Sequence, residues 1–167
     1  MLEAISVRYR TEINHTAPYG RLDMSAAYEI LPTPDWATTT TITIAHNAPS
    51  DPMLWARTIF GADNAPLFVK ILFAARVVAA KILRIPQADQ EMLTADTVVG
   101  DEAIIDTDDK HLHFVAAIRP DPAAGLLHIV TAVNLKGTVG RIYFAPVALL
   151  HDTITRSIMK SAAVTLA

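Results

Sequence analysis

The stretch from Gly137 to Ala163 constrains the fold most strongly, because it predicts one long helix on which a sheet must pack. On a wheel at about 100° per residue, its apolar side chains recur at spacings of three and four and form one stripe about four turns long. His151 lies at the edge of this stripe. Asp152, Arg156 and Lys160 repeat on the other side with acid before base, which marks the solvated side of the helix. The apolar stripe consists of Tyr143, Val147, Leu150, Ile154 and Ile158.

The composition predicts a single domain, residues 1–167, with much buried surface. Hydrophobic residues make up 51% of the chain and charged residues 19%, which favours a large core or an apolar cavity. The net charge is −3 and the basic residues are scattered, so nucleic acid is not predicted as a partner. The absence of cysteine excludes disulfides and thiolate metal sites. The first residues lack the apolar segment of a signal peptide, and we predict a cytoplasmic protein.

The signals along the chain place strands and helices in separate blocks, which predicts an α+β fold. Residues 1–22 are predicted to form an arm or a short strand, and Tyr28–Leu31 a further short strand. A threonine-rich strand at 36–46, with β-branched residues on both faces, and a short helix at 51–61 follow. Four more strand-like runs are predicted at Leu93–Val99, Glu102–Asp106, His111–Arg119 and Leu126–Leu135.

Residues 64–85 are the most apolar run and are predicted to form a second helix. Basic residues interrupt this run, whereas a membrane span needs about 20 residues with few or no charges. Most of the basic residues share one side of the wheel, and the apolar side faces away from them. A helix packed on the sheet is the favoured interpretation, contact with a membrane surface is the alternative, and the same helix is a candidate homodimer interface. The basic residues are Lys70, Arg76, Lys81 and Arg84.

Three motifs resemble those of one family. DDKHLHF at 108–114 resembles the DDxHLDFR signature of the uncharacterised bacterial proteins called DUF2867, and GRIYF…LLH at 140–151 is similar to that family's GRLY…PFH. MLWARTIFG…APLFVKILFAARVV at 53–78 resembles its tryptophan-containing helix pair. His113 and Val115 stand where the signature has Asp and Arg. The resemblance implies a helix-grip, SRPBCC-like fold: a curved antiparallel sheet wrapped around a long C-terminal helix, with two shorter helices after the first strand or strands. It also implies a pocket, but no activity.

The histidines of the strand region invite a metal-site interpretation, because His-x-His on a strand places both rings on one face. Hairpin geometry makes the numbers of paired residues sum to about 245, which puts His128 opposite Ala117. His113 is then roughly 13 Å from that point at about 3.3 Å per residue. The rings of His111, His113 and His128 are predicted not to converge, so no metal site is predicted. The acidic run at 106–109 lacks the pattern of a calcium loop and is typical of a turn.

The predicted ligand contacts are His151, Tyr143, Trp55 and Arg141. A histidine on the inner side of the long helix either is hydrogen-bonded within the core or meets the polar end of a ligand, because an unpartnered buried polar group costs about 1–3 kcal/mol. Tyr143 offers a hydroxyl on the same side, and Trp55 lies on the inner side of the short helix. Arg141 and Glu102 are interpreted either as a buried pair or as a ligand clamp.

These observations favour a domain that binds a small, largely apolar molecule between the sheet and the C-terminal helix. Pro146 predicts a kink near Ile142, which either opens space over the sheet or follows its curvature. Two alternatives stay open: a cyclase- or dehydratase-like enzyme that uses a cavity His or Asp, and a filled core with a protein–protein role. Neither a Gly-x-Ser-x-Gly nucleophile context nor a Gly-rich phosphate loop is present, and no cofactor is predicted.

Overall fold

The computed structural model describes residues 25–61 and 95–167, and the predicted arm at 1–22 and helix at 64–85 lie outside them. The described residues fold as α+β, which confirms the predicted class. Their helices are α1 (Ala26–Ile30), α2 (Pro52–Phe60) and the C-terminal helix (Gly137–Thr165). Their strands are β1 (Trp36–Thr43), β2 (Thr97–Val99), β3 (Glu102–Asp108), β4 (Leu112–Asp121) and β5 (Leu126–Leu135).

The strands form one antiparallel sheet in the order β1-β5-β4-β3-β2. The strands from β2 to β5 follow one another as hairpins, and β1 pairs with the free side of β5. Within the described residues, β1 is therefore an outer strand of the sheet, and its threonine-rich sequence forms a strand as predicted.

The register between β4 and β5 differs from the predicted one by two residues. His128 pairs with Arg119, so the prediction that it opposes Ala117 is wrong. The reason is that β4 continues through Pro120 and Asp121 before the chain reverses. The turn at 122–125 is closed by a hydrogen bond from Gly125 N to Pro122 O at 3.1 Å, and Gly125 takes a φ of 70°, which glycine adopts without strain.

Both faces of the sheet are covered by helices. Successive residues of β4 point to opposite faces, and those in its middle are buried on both. The front face packs against α2 and the C-terminal helix and is formed by Ile42, Ile105, Ala116, Ile118 and Ile129. The back face packs against α1 and is formed by Ile104, Val115, Ala117, Val130 and Ala132.

The C-terminal helix is confirmed, but its buried side is rotated by one residue from the predicted stripe. Leu150 of that stripe is 43% exposed, and the buried side chains are Phe144, Thr155, Met159 and Ala162. The prediction was wrong because the first half of the helix is apolar on two sides: Ile142 and Leu149 are also exposed, at 68% and 85%. Within 25–61 and 95–167, none of the helices is long and apolar enough to cross a membrane.

The two short helices are fixed by caps. Asp51 accepts a bond from Met53 N at 2.9 Å at the start of α2, as Pro52 in the first turn predicts. The buried residues of α2 are Trp55, Ala56 and Ile59, and Trp55 faces inward as predicted.

The predicted strand at Tyr28–Leu31 is wrong, because that segment belongs to α1. Ser25 caps this helix, and the buried carboxylate of Glu102 accepts bonds from Ser25 Oγ (3.1 Å) and Ala26 N (2.7 Å). The carboxylate of Glu102 on β3 therefore satisfies free N–H and O–H donors at the start of α1. This helix has only five residues, too few for its sequence to predict it.

His128 is buried on the back face between β1 and β4. Its Nδ1 lies 2.9 Å from Thr41 Oγ1, and Arg119 is its cross-strand neighbour. Burial lowers the pKa of His128, the charge of Arg119 lowers it further, and Asp121 opposes the shift. The neutral ring is thus the form that the folded chain favours.

We predict that the stability of the fold decreases in acid because of His128. The unfolded chain binds a proton below about pH 6.5 that the folded chain resists, so the free energy of unfolding falls as the pH drops below that value. Replacing His128 by Gln should flatten this decrease by up to about 1.4 kcal/mol per pH unit. Urea denaturation between about pH 7.5 and pH 5 measures the slope.

Thr41→Val is the matched control, since it deletes the hydrogen bond and retains the ring. It should lower stability at every pH and keep the wild-type slope. A His128→Gln variant with the wild-type slope would contradict the assignment.

Candidate functional site

Trp36 connects the outer strand to the C-terminal helix on the front face. Its ring centroid lies 5.1 Å from that of Phe144 and 5.0 Å from that of His151, with edge-on interplanar angles of 71° and 70°. Phe144 and His151 are two helical turns apart on one side of the helix, so one indole spans both turns. Trp36 is only partly buried, so part of its ring surface is accessible. We call Trp36, Thr40, Phe144, His151 and Thr155 the Trp36 site.

His151 supplies the titratable group of this site. Its ring is partly buried, and Nδ1 lies 3.4 Å from the hydroxyl of Thr155, one turn further along the helix. Burial lowers the pKa of His151, and the nearby charge of Asp152 only partly opposes this shift. The imidazole is therefore neutral at neutral pH. Among the described residues its hydrogen bond uses Nδ1, which leaves Nε2 available to a ligand.

A polar clamp holds His151 against β1. Thr40 Oγ1 donates to Asp152 Oδ1 at 3.0 Å, and Arg156 reaches the same carboxylate at 3.2 Å and the carbonyl oxygen of Thr41 at 2.8 Å. Burial raises the pKa of Asp152, but the hydrogen bonds from Arg156 and Thr40 and the charge of Arg156 outweigh it and lower the pKa overall. The clamp fixes the rotation of the helix and so directs His151 toward Trp36.

The floor of the site on the sheet is lined by threonines. Trp36, Thr38 and Thr40 share the front face with Ile42, because side chains two apart on a strand point the same way. Thr38 pairs with the buried Thr131 of β5. A polar floor in a front face that is otherwise aliphatic distinguishes this end of the sheet from the end under α2.

The structure separates the predicted ligand contacts. His151 lies between helix and sheet, as its position on the helix indicated. Trp55 is fully buried, and its indole N–H donates to Pro49 O at 2.7 Å, so its observed contacts are those of a core residue. Arg141 is exposed. The side chain of Tyr143 lies outside the described part of the structure, and its ligand role stays a prediction.

The suggested association of Glu102 with Arg141 is wrong. Glu102 is engaged at the start of α1 on the back face, while Arg141 lies on the helix that covers the front face. Trp36, in contrast, was missed as a site residue. Its signal was the period-two pattern of β1, which places it on the same face as Thr40 and Ile42.

The strand histidines lie in separate places. His113 Nε2 is 2.7 Å from Asp106 Oδ1 on the neighbouring strand, and His128 bonds Thr41. Nε2 of His111 is buried and has no hydrogen-bond partner among the described residues. Across 25–61 and 95–167, no group of three or more His, Asp or Glu is arranged to hold a metal ion.

Two of the sequence motifs form one joint at the start of the C-terminal helix. Asp109 Oδ1 accepts bonds from the backbone N–H groups of His111 (2.5 Å) and Leu112 (2.9 Å), so the predicted turn is present at Asp109, whereas residues 106–108 belong to β3. Lys136 N donates to His111 O at 2.7 Å. Lys136 Nζ pairs with Asp108 and donates to Asp109 O at 2.7 Å. The turn before β4 thus fixes the residue that caps the helix.

Gly140 completes this joint. A Cβ at this position would overlap the backbone carbonyl of His111, and backbone cannot move aside as the end of a flexible side chain can. The glycine of the GRIYF motif is therefore required by close packing of the helix on the turn, and this requirement accounts for its position without any chemical role.

An antiparallel sheet with a long C-terminal helix packed on its front face beside a shorter one defines an α+β protein of the helix-grip-like class. A family model described as "Protein of unknown function (DUF2867)" matches residues 30–158, and the chain belongs to this family. No curated protein and no solved structure matches the chain. The matched region contains both halves of the joint and the Trp36 site.

We predict that Gly140→Ala destabilises the protein. The same change inside an ordinary helix stabilises by about 0.5–1 kcal/mol, but the overlap with His111 should instead cost about 1–3 kcal/mol. The free energy of unfolding from urea denaturation gives the sign. Thr138→Ala, at an exposed position of the same first turns, should change stability by less than about 0.5 kcal/mol. A stabilised Gly140→Ala protein would show that the helix does not rest on the turn.

Proposed function

We propose that the chain binds a small, largely apolar molecule between the front face of the sheet and the C-terminal helix, with His151 as its main polar contact. The observation that carries this proposal is the environment of His151. A neutral, partly buried imidazole is held edge-on to Trp36, and its Nε2 is left free of the bond that Nδ1 makes to Thr155.

The surroundings of His151 support a binding role. Small-molecule sites are mostly apolar with a few placed polar groups that orient the ligand. The Trp36 site has this composition: two aromatic rings, Trp36 and Phe144, and a threonine floor around one imidazole. Nε2 of His151 is not among the buried unpartnered atoms of the described residues, so it reaches the surface of the site, where a ligand group can meet it.

A second candidate function uses the same residues. A neutral imidazole can accept a proton from a bound substrate, as a general base does, and a cyclase- or dehydratase-like reaction needs little more than such a group in an apolar site. The observation that favours it is the lowered pKa of His151, which keeps the ring in its basic form at neutral pH. Binding is a precondition of this function, so it is tested first.

The binding proposal predicts a co-purified or captured ligand. Native mass spectrometry of freshly purified protein should show a small-molecule adduct, or a library of lipids, steroids and aromatics should raise the melting temperature. His151→Leu should remove the polar contact and weaken binding by roughly 5- to 150-fold, as expected for a lost hydrogen bond of about 1–3 kcal/mol.

Thr153→Ala is the control, since Thr153 is exposed on the same helix. It should leave adduct and melting shift unchanged. Full binding by His151→Leu would show that the site is misplaced. Absence of adducts together with no melting shift in the wild-type protein would count against ligand binding and favour a filled interior with an interaction role.

A further inference from the structure

We infer that the ligand of the Trp36 site is an uncharged molecule with a flat apolar body and one hydrogen-bonding group. This inference rests on the proposed function and names the chemical class of its ligand. It is drawn from the charges that surround the site, which are already matched with one another, and from the shape of the groups that form its walls.

The charged groups next to His151 in the described residues, Asp152 and Arg156, already bond each other and β1. The carboxylate of Asp152 accepts bonds from Thr40 and Arg156, and the guanidinium of Arg156 is divided between Asp152 and the Thr41 carbonyl. Both side chains face the solvent side as well, at 57% and 42% exposure. An ionic ligand would have to break this pair to obtain a counter-charge, and the clamp that orients His151 would be lost with it.

A ligand carboxylate would therefore be buried without compensation. Among the described side chains, the titratable ring that contacts Trp36 is that of His151, which burial keeps neutral. Within the described part of the chain, the charge that acts on His151 is the anionic Asp152, which repels a second anion. Burying a charge without a partner is far more costly than burying a hydroxyl or a carbonyl with one hydrogen bond.

A cationic ligand is disfavoured for a related reason. It would compete with Arg156 for the Asp152 carboxylate, and Arg156 holds that carboxylate with two nitrogens at 3.2 and 3.4 Å. A neutral group, in contrast, needs only Nε2 of His151, which donates to a carbonyl or accepts from a hydroxyl according to its tautomer.

The walls of the site favour a flat molecule. The rings of Phe144 and His151 meet the indole of Trp36 at steep interplanar angles of 71° and 70°, so neither ring is stacked flat on the indole. Offset stacking of an aromatic body on an indole face is a favourable geometry. The threonines of β1 and β5 below offer a floor without bulky side chains.

The test uses four naphthalene derivatives of matched shape with the wild-type chain: 2-naphthol, 2-naphthoate, 2-naphthylmethylammonium and unsubstituted naphthalene. Isothermal titration calorimetry near neutral pH gives each dissociation constant. We expect 2-naphthol to bind at least about tenfold more tightly than either ion. The His151→Leu variant should bind 2-naphthol about tenfold more weakly than the wild type, while its affinity for naphthalene should be unchanged. The Thr153→Ala variant should bind all four compounds as the wild type does.

The outcomes separate this inference from the proposed function. Equal or tighter binding of either ion would overturn the uncharged class and leave the binding role standing. Binding of none of the four would overturn the flat-body class, whereas the binding role is decided independently by the mass-spectrometric adduct and the wider library. Equal losses for naphthol and naphthalene in His151→Leu would show that the imidazole acts through packing, which also overturns the inference.

Discussion

The middle of β1 is the point on which the arrangement of helix and sheet depends. Thr40 and Thr41 are adjacent in sequence, and the pleat directs their side chains to opposite faces. On the front face Thr40 bonds Asp152 of the C-terminal helix, and on the back face Thr41 bonds the buried His128. The carbonyl of Thr41 accepts a further bond from Arg156. An outer strand otherwise presents unpaired backbone groups. Here Arg156 bonds one of them, the carbonyl of Thr41, and this bond helps to fix the rotation of the helix about its axis.

A second fixed point lies at the start of the same helix. The Asp109 turn and Lys136 hold the helix cap, and Gly140 allows the first turns to approach the His111 carbonyl closely. Two constraints along a rigid rod determine both its direction and its rotation. The motif residues at this joint therefore explain a shape, while His151, the titratable group of the Trp36 site, lies about three turns beyond Gly140 at the end of the second motif.

The sequence was sufficient for the class of fold, because strand and helix periods differ strongly and the blocks are separate. It was insufficient for the rotation of the C-terminal helix. Its first half carries apolar side chains on two sides, with Phe144 buried and Leu149 exposed. Hydrophobicity alone therefore does not decide which side of this half is buried. The buried side is chosen by specific contacts, Trp36 with His151 and Thr40 with Asp152, that depend on a strand about 110 residues earlier.

Other differences have equally local causes. The predicted register of β4 and β5 is wrong because Pro120 and Asp121 are typical of turns. In the structure both residues extend β4 and pair with Leu127 and Leu126 of β5. The strand predicted at Tyr28–Leu31 is wrong because a five-residue helix shows too little periodicity to be distinguished from a strand. The start of α1 is held by the carboxylate of Glu102, which is distant in sequence. For the candidate site, the sequence predicts His151 from its place on the helix, and its ligand role stays a prediction; it does not predict Trp36, because an aromatic at the start of a strand is ordinarily a core residue.

The orientation of the groups around His151 bears on the choice between binding and catalysis. A general base works best when a second group fixes its tautomer and stabilises the charge that it acquires. Here the neighbour of Nδ1 is the neutral hydroxyl of Thr155, and the nearest carboxylate, Asp152, is directed to Thr40 and Arg156 instead. The same burial that keeps the ring neutral also opposes the protonation that a general base must undergo. An imidazole in these surroundings is well suited to share a hydrogen bond and poorly suited to hold a proton, and that is the property of a ligand anchor.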